Sequence, residues 1–253
     1  SGVSFEDFVK KEIFDKSGMD KSSFYIRDYD QSELALPHKR ELKSVLCDFY
    51  PYHRRHAPSS TFHTNLNDMC RWLTININHG QIEGSKTLFG EKSYEFLTSK
   101  NHDTTWGKYD SRKKGLALGW FTGDFKGNRT ICHEGAVDGF STSHTIFPNL
   151  DIGFTGFSND DWLNNPLHEV ICKVIMDFIT TGKAAIPSTY INVPLQKIIL
   201  KKGVDEAIDF YYRNIDNSEF YIDNDNINYV GDQLKKMGRE KDSEKFYNIV
   251  KGE

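Results

Sequence analysis

The stretch TICHEGAVDGFSTSHTIFPNLDIGFTGFSN, residues 130–159, decides how this chain is read. It has the pattern of three consecutive antiparallel strands. The first carries Ile131, His133 and Gly135. The second, Ser141 to Phe147, alternates small polar with apolar positions, and the third, Asp151 to Phe157, is rich in glycine and aromatics. Pro148-Asn149-Leu150-Asp151 has turn chemistry, since proline presets φ and Asn or Asp can bond their own backbone. Chemistry on this sheet would sit at His133-Glu134-Gly135: an imidazole aimed into a cleft, followed two residues on by a glycine that lets a substrate or a second backbone approach the strand.

Working outward, Gly115 to Phe125 opens the sheet, and the glycine-rich run Thr122 to Asn128 turns into the strand bearing His133. Asn128-Arg129-Thr130 fits a glycosylation acceptor, but a hairpin turn accounts for the asparagine. Trp120 suits either a sheet core or a cleft wall. Upstream, Ser4 to Phe14 places Phe5, Phe8, Val9 and Ile13 at helical spacing, with Ser4 as N-cap and Gly18 as the stop. Thr64 to Asn78 is the clearest helix, capped by Thr64 or Asn65, with Leu66, Met69, Cys70, Leu73 and Ile77 as its stripe; Glu91 to Ser99 is a shorter one facing the core with Tyr94 and Leu97. Tyr25 to Pro58 has no periodicity and reads as a functional loop or lid. His53, His56 and His63 lack a carboxylate or cysteine to complete a metal set, and Arg54 and Arg55 read as a solvated loop with a capacity for an acidic substrate group.

Downstream, Pro166 to Thr180 is an amphipathic helix whose face of Leu167, Val170, Ile171, Val174, Ile175, Phe178 and Ile179 is expected to cover the sheet. Ile186-Pro187-Ser188 marks a boundary, giving domains of 1–184 and 185–253. The second is expected to be all-helical, over Val193 to Asn214 and Ile227 to Val250.

With 253 residues, 32 Lys plus Arg and 36 Asp plus Glu, the chain has a net charge of -4, which argues against nucleic acid or an anionic membrane as partner. No apolar run approaches the roughly 20 residues of a membrane span. Cys47, Cys70, Cys132 and Cys172 form no C-x-x-C pair; the expectation is buried thiols rather than a disulfide framework. Nothing in the pattern calls for a cofactor or a metal.

Four segments together resemble one family. SGVSFEDFVKKEIFDKSGMDKSSF (1–24), HAPSSTFHTNLNDMCRWLTININHG (56–80), GLALGWF (115–121) and HEGAVDGFSTSHTIFPNLDIGFTGFSN (133–159) are similar, in order, to segments of the serine β-lactamase and penicillin-binding-protein-like hydrolases, in the class C-like branch with D-aminopeptidases and esterases. The resemblance implies an α/β (α+β) fold, an antiparallel sheet flanked by helices, and acyl-enzyme chemistry on an amide, ester, β-lactam or D-amino acid peptide carbonyl. It also implies a bacterial protein, periplasmic or secreted. Asn228 to Leu234, Gly238-Arg239 and Ser243 to Tyr247 resemble the tetratricopeptide-like tail appended to some members.

That family uses a Ser-x-x-Lys nucleophile, a Tyr-x-Asn (or Ser-x-Asn) motif and a Lys-Thr-Gly or His-x-Gly strand. Here only the third stands in its place, as His133-Glu134-Gly135. Ser111-Arg112-Lys113-Lys114 and Tyr190-Ile191-Asn192 lie out of order. The resemblance therefore implies a truncated piece, inactive alone, with both other motifs upstream of Ser1. By the same resemblance, His133 faces the serine, Gly135 permits approach, and the Ala136 N–H is an oxyanion donor, with Glu134, Trp120 and Gly139 around the substrate; Glu134, by alternation, is expected to face away from the cleft. A dimer through an exposed sheet edge is an expected partner arrangement. The alternative is a non-catalytic scaffold module using sheet and tail to hold a protein.

Overall fold

The computed structural model describes residues 2–82, 84, 86–160, 166–185 and 187–252, with the side chains of residues 40 and 166–172 outside the description. It divides into two compact units, the first of Ser1–Pro37 with Cys47–Trp162, the second of His38–Leu46 with Leu163–Glu253.

The first unit is built on a six-stranded meander: β1 (His102–Asp103), β2 (Gly115–Leu116), β3 (Phe121–Phe125), β4 (Asn128–Val137), β5 (Phe140–Phe147) and β6 (Ile152–Ser158). Neighbours in sequence are neighbours in space, and every pair is antiparallel. The three strands expected over residues 130–159 are β4, β5 and β6. The expected Gly115 to Phe125 segment is two strands, because the chain turns back between Leu116 and Phe121 with Gly119 at φ 79°. Lys126 and Gly127, both left-handed, close the β3–β4 hairpin, and the Pro148–Leu150 turn ends on Asp151 at φ 52°.

Helices supply the packing for one layer of this sheet. Ser4 caps α1 (Phe5–Val9) by accepting from the Asp7 N–H at 3.1 Å, and the helical run continues through Lys10–Phe14 and Asp15–Ser17 to Gly18 at φ 67°. Only part of the expected stripe is inside: Val9 is buried and Ile13 half-buried, whereas Phe5 and Phe8 are exposed, and Phe14, outside the stripe, is buried instead. Val9, Phe14, Met19 and Phe24 form their own cluster with Phe62 beside it. Asn65 caps α2 (Leu66–Ile77) through the Asp68 N–H at 2.9 Å. Its Leu73 joins Tyr94 of α3 (Glu91–Thr98), Ala117, Trp120, Ile131 and Ile146 in the core on the sheet. Cys70 and Leu66, placed in the stripe by spacing, are exposed, since the buried side of α2 also takes Ile75 and Asn76.

The second unit contains α4 (Pro166–Thr181), α5 (Asn192–Lys202), α6 (Val204–Asn214), α7 (Asn224–Lys236) and α8 (Glu240–Lys251). In α4, Met176 is buried and Phe178 is exposed, a correction to the expected apolar face; Leu167, Val170, Ile171 and Cys172 lie outside the described side chains, and Ile186 outside the described residues. Helices α5 to α8 close on Ile191, Leu195, Ile199, Ala207, Val230 and Phe246. Gly231 permits the α7–α8 crossing: a Cβ there would stand 2.7 Å from the Tyr247 ring.

Candidate active site

Strand β4 changes character half-way along. Asn128 to Cys132 pair with β3 on one side, in the register Phe125↔Asn128 to Phe121↔Cys132, and Ile131 to Val137 pair with β5 on the other, from Ile131↔Ile146 to Val137↔Phe140. Past Cys132 the β3 side of β4 has no strand among the described residues. His133 to Val137 is thus a strand with one open edge, carrying backbone donors and acceptors to which an extended group can pair.

His133 stands at the start of that edge. It is exposed, and its imidazole stacks on Phe121 with ring centroids 5.7 Å apart. Gly135 lies opposite Thr142; a Cβ at 135 would come to 3.0 Å from the Thr142 hydroxyl. Ala136, also exposed, lies opposite Ser141. Asp138 and Gly139 close the β4–β5 hairpin, with Gly139 at φ 82°, so its need for glycine is met by the turn itself.

Two of the residues expected around the substrate have partners within the chain. Trp120 is 8% exposed and packs in the core with Leu73, Tyr94 and Ile131, because the turn into β3 directs it inward. The Glu134 carboxylate is engaged within the chain: it accepts from Arg112 Nη2 at 3.0 Å and from Lys113 Nζ at 2.5 Å.

Those two cations belong to a charge network that the sequence hid. The turn Ser111–Lys113 lies directly on the sheet, and Gly123 allows it, since a Cβ there would sit 2.1 Å from the Ser111 carbonyl oxygen. The Arg112 side chain is only 6% exposed. Its guanidinium donates to Asp110 at 2.7 Å, to Glu134 and, through Nη1, to Thr145 at 3.2 Å. Burial works against the charge on Arg112, but the bonds and charge of Asp110 overcome it and hold its pKa above the ordinary value. Burial would raise the Asp110 carboxyl, and Arg112 holds it below the usual range instead. Cys132, beneath the same turn, has its thiol pushed up to about 12 by burial.

The histidines upstream are not gathered into a metal centre. His53 and His56 pair with each other, with ring centroids 5.6 Å apart, while His63 bonds the Thr61 carbonyl at 2.8 Å and lies among Tyr29, Tyr50 and Tyr52. Burial lowers its pKa. No group of three or more His, Cys, Asp or Glu among the described residues is placed to hold a metal. Arg54 bonds the buried Glu6 at 2.9 Å, an internal partner in place of a substrate. A cavity of about 300 Å³ bordered by His79, Glu91, Tyr94, Thr98, Arg129 and Asn149 includes none of the expected residues. Among the described residues no helix is long and apolar enough to cross a membrane.

An antiparallel sheet flanked by helices, with a His-x-Gly strand open along one edge, is the arrangement of the β-lactamase and penicillin-binding-protein-like fold. The β-lactamase family model matches residues 1–167, and the chain belongs to that family. Among solved structures it is similar to an octameric penicillin-binding protein homologue from Pyrococcus abyssi, at 18% identity and a TM-score of 0.61 over 79% of this chain and 43% of that one. A β-lactamase from Sulfitobacter sp. EE-36 shares 15% identity at a TM-score of 0.56, covering 71% of this chain and 55% of that one. A D-amino acid amidase from Ochrobactrum anthropi SV3 shares 11% at 0.54, over 72% and 53%. At such identities the likeness is one of fold. The chain spans about half the length of these relatives. No curated protein matches it.

Proposed function

We propose that this chain forms one wall of a serine-hydrolase active site acting through an acyl-enzyme on an amide, ester, β-lactam or D-amino acid peptide carbonyl, with the nucleophilic Ser-x-x-Lys and the Tyr-x-Asn supplied by a segment outside residues 1–253. One observation carries this reading: the open edge of β4 from His133 to Val137 coincides with the His-x-Gly motif. His133 faces the serine and holds the substrate's carbonyl or carboxylate, Gly135 leaves room for the approach, and the Ala136 N–H completes an oxyanion hole. Removing one such donor costs on the order of a hundred- to thousandfold in rate. The chain alone then lacks turnover.

Residues 185–253 form a helical, tetratricopeptide-like extension in this reading. The outer side of β6, the last strand of the sheet, is an edge through which a second copy pairs; a monodisperse monomer of this chain that binds no apolar dye contradicts that pairing.

The test is covalent labelling by a fluorescent penicillin and a fluorophosphonate, read by intact mass. The chain alone should stay unmodified and the protein extended upstream should acquire one adduct, formed at least tenfold more slowly in His133→Ala. An adduct on a serine within residues 1–253 that forms on the native chain and not on chain denatured beforehand contradicts the reading.

A further inference from the structure

His133 is flanked by the charge network in two ways. Glu134, its neighbour on the other side of the pleat, is the acceptor for both Arg112 and Lys113. The Lys113 ammonium, besides that bond, lies 5.9 Å from the centroid of the Phe121 ring, the same ring on which the His133 imidazole stacks. Trp106 packs against Phe121 as well, at 5.1 Å. Phe121 therefore touches both the cation-bearing turn and the imidazole.

We infer that Arg112, Lys113 and Glu134 are positioning residues for His133: they hold the backbone of β4 and the Phe121 ring so that an otherwise exposed imidazole keeps one orientation. Beside these, the register places His144, itself bonded to Thr155, directly opposite His133 on β5. A charge cluster with side chains only 6%, 13% and 12% exposed is a costly way to gain stability alone, since such pairs repay their desolvation poorly. Its return here is geometric, because a misplacement of about 1 Å at a reacting group costs up to a hundredfold in rate. This inference rests on the hydrolase reading for its consequence in catalysis, but the orientation of His133 is measurable without it.

The experiment uses the full-length protein, extended upstream, with Glu134→Gln, Lys113→Met and the conservative Glu134→Asp, each checked for folding by thermal unfolding. The first readout is the His133 ring resonance, which the Phe121 ring current displaces. Glu134→Gln and Lys113→Met should each reduce that displacement by at least half, with Glu134→Asp restoring part of it; an unchanged displacement in both overturns the proposal, whether or not the protein turns over a substrate. The second is a double-mutant cycle on the acylation rate. Glu134→Gln should slow acylation about tenfold with KM within twofold, and by less than twofold when His133 is already alanine. An equal loss in both backgrounds overturns positioning through His133, and a full-length protein that acylates at no rate overturns the hydrolase reading instead.

Discussion

The two halves of strand β4 are paired differently: residues 128–130 with β3 alone, 133–137 with β5 alone, and only Ile131 and Cys132 with both. Ile131 and Cys132 pair with both β3 and β5 and are at most 1% exposed; His133 and Ala136, on the same strand, pair with β5 alone and stand open. The first half reaches the doubly paired centre of the sheet, and the second, in the proposed function, is the half open to a substrate because β3 does not extend beside it. A strand can thus serve fold and function in succession, with the change set by where the adjoining strand begins, at Phe121.

The largest expected effect tests the clasp between the halves. Arg112→Met removes the central cation of the network and leaves Asp110 and Glu134 with Lys113 alone, which should cost about 3 kcal/mol or more, read by urea unfolding. Ile131→Ala, in the core with Leu73 and Ile146, should cost about 3 kcal/mol by the same assay, whereas His133→Ala should cost less than about 0.5 kcal/mol. Equal costs for the two would erase the distinction between the halves.

Acid should separate them next. The Asp110 carboxyl is held below its unfolded value, so the stability it contributes is complete above about pH 4, the ordinary aspartate range, and is lost as pH falls through the lower folded value. The urea midpoint of the wild type should fall with pH in that window, and Asp110→Asn should flatten the slope. The smallest effect is chemical: iodoacetamide should modify exposed Cys70 in the native protein and leave Cys132, buried and with its thiol pushed up to about 12, untouched until unfolding.

The sequence exposed the first half more readily than what surrounds the second. Alternation and turn chemistry located β4, β5 and β6, and the caps at Ser4 and Asn65 and the stop at Gly18 follow from local bonding that spans a few residues. The Asp110–Arg112–Glu134 network was illegible because Ser-Arg-Lys-Lys reads as a solvated basic loop; what buries it is Gly123 and a glutamate some twenty positions on, brought together only by strand pairing. An aromatic on a sheet strand is more often core than cleft wall, and Trp120 lies in the core. Phe5, Phe8 and Cys70 show the converse: helical spacing marks a face but not its width.

The measurement that tests the central claim most directly is the change in backbone amide shifts on β4 when the protein extended upstream is trapped with a penicillin or a boronic acid. Perturbations should concentrate on residues 133–137, with 128–132 nearly unmoved. Perturbations confined to the first half, or spread evenly over the sheet, would contradict a site built on the open edge at His133.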